Sequence, residues 1–93
     1  MIIEKNNDAT ILVLPAECTI VEVEADADKI RSFINTRPGR VEVQAGSLEE
    51  IDTAYLQLLL SLASTAERWD IPFSVSNTPD ALRKACALYG EDI

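Results

Sequence analysis

Apolar positions along the chain recur at two different spacings, and the switches between them mark out its elements. Thr10-Ile11-Leu12-Val13-Leu14 is a β-branched and apolar run closed by Pro15, the pattern of a buried strand, and Ile2-Ile3 predicts a shorter strand before it. The next stretch is ambiguous. Thr19 to Glu24 alternates like a strand, whereas Ile20, Val23, Ala27, Ile30 and Ile34 repeat at helical spacing. The longer pattern decides, and it predicts a helix over 20–35. Thr19 followed by Glu22 forms a capping box at its start, and Pro38-Gly39 closes it.

Arg40-Val41-Glu42-Val43-Gln44 alternates cleanly, which turns Val41 and Val43 to a core, and Gly46-Ser47 ends the strand. Over 54–69 the residues Tyr55, Leu56, Leu59, Leu60, Leu62, Ala63 and Ala66 form a broad apolar helical surface, with Gln57, Ser61, Ser64, Glu67 and Arg68 largely off it. Asp70-Ile71-Pro72 breaks that helix, Phe73-Ser74-Val75 alternates as a strand, and Ser76-Asn77-Thr78 turns the chain. Thr78 then caps a last helix with Pro79 at its first position, carrying Ala81, Leu82, Ala85, Cys86 and Tyr89 on an apolar side and stopping at Gly90. Strands separated by helices of this length imply a small α/β domain: a mostly parallel sheet of about four strands, with three or more helices on one or both faces.

Composition narrows the functional classes. A chain of 93 residues with 47% hydrophobic and 26% charged residues suits a single globular domain over 1–93. Its net charge of -8 opposes binding to nucleic acid and to anionic lipid. The same charge suits docking to a basic partner, and it equally suits the solubility of an ordinary cytoplasmic protein. Cys18 and Cys86 are far apart and the chain has no histidine, so a structural zinc set and a Cys-His nucleophile both drop out. Both thiols are expected in or near the core and reduced. The amino terminus has no export signature, and the most apolar segment, Leu56 to Ala63, is far shorter than a membrane span, so no direct membrane insertion is expected.

Little on the chain resembles catalytic machinery. Glu49, Glu50 and Asp52 are loop carboxylates without a histidine, the composition of a solvated acidic loop more than of an acid/base or metal site. No Gly-rich phosphate loop, nucleophile elbow or catalytic pair occurs, so no catalytic residue, metal or cofactor is assigned. Asp52 and Thr53, placed before an apolar helical run, are residues that helix capping favours. Tyr55 suits either core or interface, its first-turn position favouring partial burial, and Trp69 suits a packing anchor over the sheet.

The segment Leu48-Glu49-Glu50-Ile51-Asp52-Thr53-Ala54-Tyr55-Leu56-Gln57-Leu58-Leu59-Leu60 resembles the signature loop and helix of STAS domains, the family of anti-sigma-factor antagonists and sulfate-transporter tails. Leu14-Pro15-Ala16-Glu17-Cys18-Thr19 stands where the family usually shows a Leu-x-Gly-Glu-Leu-Asp turn, and Ile71-Pro72-Phe73-Ser74-Val75 with the closing helix is similar to its C-terminal half. The resemblance implies a STAS-like fold and a non-enzymatic regulatory function. In antagonists an Asp-Ser-(Ser/Ala)-Gly motif carries the serine that a partner kinase, itself an anti-sigma factor, phosphorylates, which makes Thr53 the phosphorylation candidate. A helix N-terminus would favour the phosphate's charge, and that charge would repel an interface fitted to the hydroxyl.

The chain departs from the family pattern in having Tyr55 for the glycine, Thr53 for the serine and Thr19 for the acidic residue of the turn. Asp52, Thr53, Tyr55, Leu56 and Gln57 are the expected partner-binding residues. The implied partner is an anti-sigma factor or kinase, a chemotaxis component, or the ATPase of a phospholipid-asymmetry transporter. The last follows from the accessory subunits of such transporters, which resemble this chain in length and in having Asp-Thr before the leucine-rich helix; the chemotaxis alternative rests on Pro72-Phe73-Ser74-Val75-Ser76-Asn77-Thr78-Pro79. Two other classes compete: an enzyme using Asp52 or Glu49-Glu50, and a small-ligand sensor.

Overall fold

Residues 1–88 are described in a computed structural model, apart from the side chains of Ala85 and Leu88. The chain runs β1 (Ile2–Asn6), β2 (Ala9–Val13), β3 (Glu17–Cys18), α1 (Ile20–Ile34), β4 (Arg40–Gln44), β5 (Glu50–Ile51), α2 (Thr53–Arg68), β6 (Phe73–Ser76) and α3 (Asp80–Leu88). A mixed sheet of order β1-β2-β4-β6 carries the architecture, and β3 and β5 pair in a separate parallel ribbon. The α/β class predicted above, with a mostly parallel sheet of four strands and three helices among the described residues, is that observed.

β1 is longer than Ile2-Ile3 because Asn7, in the left-handed region at φ 55°, turns the chain and lets Ile2 pair with Val13 and Asn6 with Ala9 in an antiparallel hairpin. β2–β4 and β4–β6 are parallel. Each is joined through a helix, and right-handed crossovers that step in one direction along a sheet set their helices on one face. The burial alternation agrees: Leu12, Val41 and Val43 are buried while Ile11, Glu42 and Ser74 are not. A single core cluster joins those strand residues to Ile30, Phe33, Leu56, Leu59 and Leu82 of the helices. Burying each such side chain contributes about 1.5–3 kcal/mol before the entropy of ordering it is counted.

The far end of the sheet is pinned separately. Gly39 donates its N–H to the Asp8 carbonyl at 2.9 Å, and a Cβ there would stand 2.9 Å from the Asp8 Cβ, so only glycine fits this approach. Trp69, half-buried at the end of α2, carries the Arg37 guanidinium 3.7 Å from its ring centroid.

Two helix starts differ from the sequence pattern. Arg83 donates its N–H to the Pro79 carbonyl at 3.1 Å, which makes Pro79 the residue before the first helical turn of α3 rather than its first member. The predicted stop at Tyr89-Gly90 lies outside the described residues. Ile20, counted above in the apolar repeat, is 69% exposed, whereas Asp26 takes a core position with 3% exposure. Asp26, Ile30 and Phe33 follow helical spacing, so the buried side of α1 is rotated toward this carboxylate.

Candidate functional site

Three helices begin at the carboxyl ends of β2, β4 and β6, where α/β sheets place their recognition surfaces. Two of those starts are held together by short-range bonds that span the sequence. The Glu49 and Glu50 N–H groups donate to the Ala16 carbonyl at 2.8 and 2.9 Å, and the Asp52 N–H donates to the Cys18 carbonyl at 3.1 Å. This brings residues 16–20 beside residues 49–53, with Glu17 in register opposite Glu50 and Cys18 opposite Ile51.

Asp52 is the joint. Its backbone is extended, at φ −96° and ψ 173°, so the carboxylate folds back over α2 and accepts the Tyr55 N–H on Oδ1 at 2.9 Å. Its second oxygen accepts the Ile20 N–H, the first donor of α1, at 2.6 Å. One side chain therefore satisfies orphan donors of both helices. α1 has a second device: Glu22 accepts the Thr19 N–H at 3.1 Å and the Thr19 hydroxyl at 2.7 Å. Those two bonds, hydroxyl first, hold the Glu22 carboxyl below its ordinary range.

Beneath this surface lies a buried polar group that the sequence pattern does not announce. The Tyr55 phenol, fully buried, donates to Asp26 Oδ2 at 2.7 Å. Asp26 Oδ2 lies 3.8 Å from the Met1 amino group, and Asp26 Oδ1 lies 3.8 Å from Lys29 Nζ. Burial first, and then the bond to Asp26, push the Tyr55 phenol well above its ordinary range. Burial also raises the Cys18 thiol to about 11, partly offset by a hydrogen bond with Tyr55. Cys18 and Cys86 are both buried and unbridged, as their apolar settings predict. Asp26 could have been flagged by its spacing to Ile30 and Phe33; nothing in the sequence pairs it with Tyr55.

The predicted partner-binding residues divide accordingly. Thr53 and Gln57 are exposed on successive turns of α2, and Asp52 is half-buried with its carboxylate engaged. Tyr55 and Leu56 have 0% exposure, which corrects the expectation that they touch a partner. The physical reason is the sheet: residues on that side of α2 face the core, and the phenol is spent on Asp26. Where the family pattern has glycine, this chain fills its core with a tyrosine and a buried acid. Ile20 and Val21, absent from the predicted set, are 69% and 83% exposed beside Asp52. Val21 falls outside the apolar repeat of α1, which was the available signal. Among the described residues no group of His, Cys, Asp and Glu could hold a metal ion.

The family described as "Mlab, STAS domain" matches residues 2–93. The chain therefore belongs to the STAS-domain family. Among solved structures it is similar to an anti-sigma factor antagonist of Thermotoga maritima, TM1081, at 14% identity and a TM-score of 0.81, over 95% of this chain and 76% of that one. It is similar to the Bacillus cell fate determinant SpoIIAA in its phosphorylated form, at 19% identity and a TM-score of 0.77, over 95% and 81% of the two chains. A chain of the stressosome, a signal integration and transduction hub, aligns at 16% identity and a TM-score of 0.71, over 98% and 80%. No curated protein matches in sequence. Among the described residues no helix is long and apolar enough to cross a membrane.

Proposed function

We propose that this chain is a non-enzymatic, cytoplasmic protein-interaction module of bacterial signalling, antagonist-like, whose docking surface is the end bearing Asp52, Thr53 and Gln57 and whose switch is phosphorylation of Thr53. The observation that carries this is the position of Thr53: exposed, first in α2, next to the carboxylate that ties α1 to α2. A phosphate adds about -1.5 to -2 charge there, against a partner fitted to a hydroxyl. The likeness to SpoIIAA, solved in a phosphorylated form, supports the reading. A second reading, the accessory subunit of a phospholipid-asymmetry transporter docking on its ATPase, is favoured by the match to the "Mlab, STAS domain" family and by Asp52-Thr53 ahead of the leucine-rich helix.

Affinity purification from the native cell with phosphosite mapping tests both. An anti-sigma-factor kinase as partner with phosphate on Thr53 supports the first; a transport ATPase supports the second. In titrations against the recovered partner, Thr53→Asp is expected to bind at least tenfold more weakly than wild type. Equal affinity refutes the switch.

A further inference from the structure

Ile20 and Val21 do nothing evident for the fold. Neither belongs to the core cluster or to the partly buried residues packed against it, and they are 69% and 83% exposed. They occupy the first two positions of α1, where helix stability favours proline or an acidic residue, and β-branched apolar residues are poor helix formers. Ile2 is the other large hydrophobic residue exposed among the described residues, so two of the three stand adjacent, beside Asp52 and Thr53.

Charge says what could cover them. Residues 14–25 and 44–60, which form the joined starts of α1 and α2, contain no lysine or arginine. The exposed carboxylates Glu17, Glu24, Glu49 and Glu50 stand on the same joined segments as the pair, and Glu17 lies in register with Glu50, a like-charge neighbour that costs stability unless a cation answers it. Of the eight cations, Lys29 and Arg31 pair with Asp26 and Asp28, Arg40 with Glu42, and Arg37 rests on Trp69, while Arg83 and Lys84 are exposed on α3. A second copy is a poor occupant, because a two-fold contact would set these carboxylates against themselves.

We infer that the partner presents an apolar cleft rimmed by lysine and arginine, which receives Ile20 and Val21 as anchors and faces Glu17, Glu24, Glu49 and Glu50. The inference rests on this end being the docking surface and adds the chemistry of what docks there. The anchors supply affinity; the rim sets the association rate and its salt dependence.

The test places the photocrosslinker p-benzoylphenylalanine at Val21, at Gln57, or at the exposed Ser74 on the far face of the sheet, in the full chain in its native cell. Adducts at Val21 and Gln57 and none at Ser74 are expected, with the peptide joined to position 21 apolar and net basic. The crosslinked protein, purified, should then bind the Ile20→Ser/Val21→Ser variant at least tenfold more weakly. It should associate at least fivefold more slowly with Glu49→Lys/Glu50→Lys, with a flatter salt dependence. Circular dichroism and denaturation midpoints establish that each variant is folded. An adduct at Val21 to a second copy or to an acidic segment overturns the inference, as does unchanged affinity of the serine variant. An adduct at Gln57 without one at Val21 overturns it and leaves the docking surface standing; adducts at neither position overturn both. An adduct at Val21 with Thr53→Asp binding normally sustains the inference and removes only the switch.

Discussion

Asp52 makes a cross-element claim that thermodynamics can isolate. Asp52→Ala deletes the cap on Tyr55 N–H and the bond to Ile20 N–H together. A lost Asp cap costs about 1 kcal/mol. The second bond is charge-assisted and at the surface, so water replaces part of it, and about 0.5–1.5 kcal/mol is expected. The total, about 1.5–2.5 kcal/mol, corresponds to a fall in Tm of roughly 6–20 °C for a domain of this size. Ile20→Pro removes only the donor of the second bond. Ile20 is the first residue of α1, where proline suits the helix, and Thr19 before it is already extended at φ −127° and ψ 175°. Urea unfolding of wild type, both single variants and the double variant closes a thermodynamic cycle. A coupling of about 0.5–1.5 kcal/mol between positions 20 and 52 is expected. Coupling below about 0.3 kcal/mol, within the additivity of independent sites, refutes the idea that Asp52 joins the two helices.

Two further outcomes are expected from the buried group beneath that joint. Tyr55→Phe keeps the ring but strips Asp26 of a buried donor at 2.7 Å, and should cost about 1.5–3 kcal/mol in equilibrium unfolding; a loss under about 0.5 kcal/mol would show that the bond is dispensable. The Cys18 thiol titrates at about 11 in the folded protein against 9.0 as its ordinary value, so the unfolded chain releases its proton first. Its contribution to stability should be complete below pH 9.0 and decline as pH rises toward about 11, and in a Cys86→Ser background a thiol reagent at neutral pH should react only as fast as the protein opens. Rapid labelling of the native protein would contradict this.

What the sequence makes legible follows from which signals are local. α1, β4, α2 and β6 were visible because spacing, capping and breakers sit within each segment; Arg40–Gln44 and the Thr19–Glu22 box are cases. β3 and β5 were not, because a two-residue ribbon has no periodicity and exists only through contacts such as Asp52 N–H to Cys18 carbonyl. Within the site, Asp52 was legible as a cap of α2, but its bond to Ile20 crosses 32 residues. Tyr55 reads in sequence as only partly buried because its partner, Asp26, is 29 residues away and reads as one more surface acid of α1.

The division of labour at the joined helix starts bears on how such a module could be redesigned. Tyr55 and Asp26 hold the scaffold from inside and Asp52 ties the two helix starts together, whereas the side chains of Ile20, Val21, Thr53 and Gln57 are exposed. On the docking surface proposed above, recognition would be rewritten at these outward positions while the buried frame stays fixed. That makes this chain a natural host for libraries of orthogonal adaptor pairs, in which new specificity is selected without re-optimising the fold.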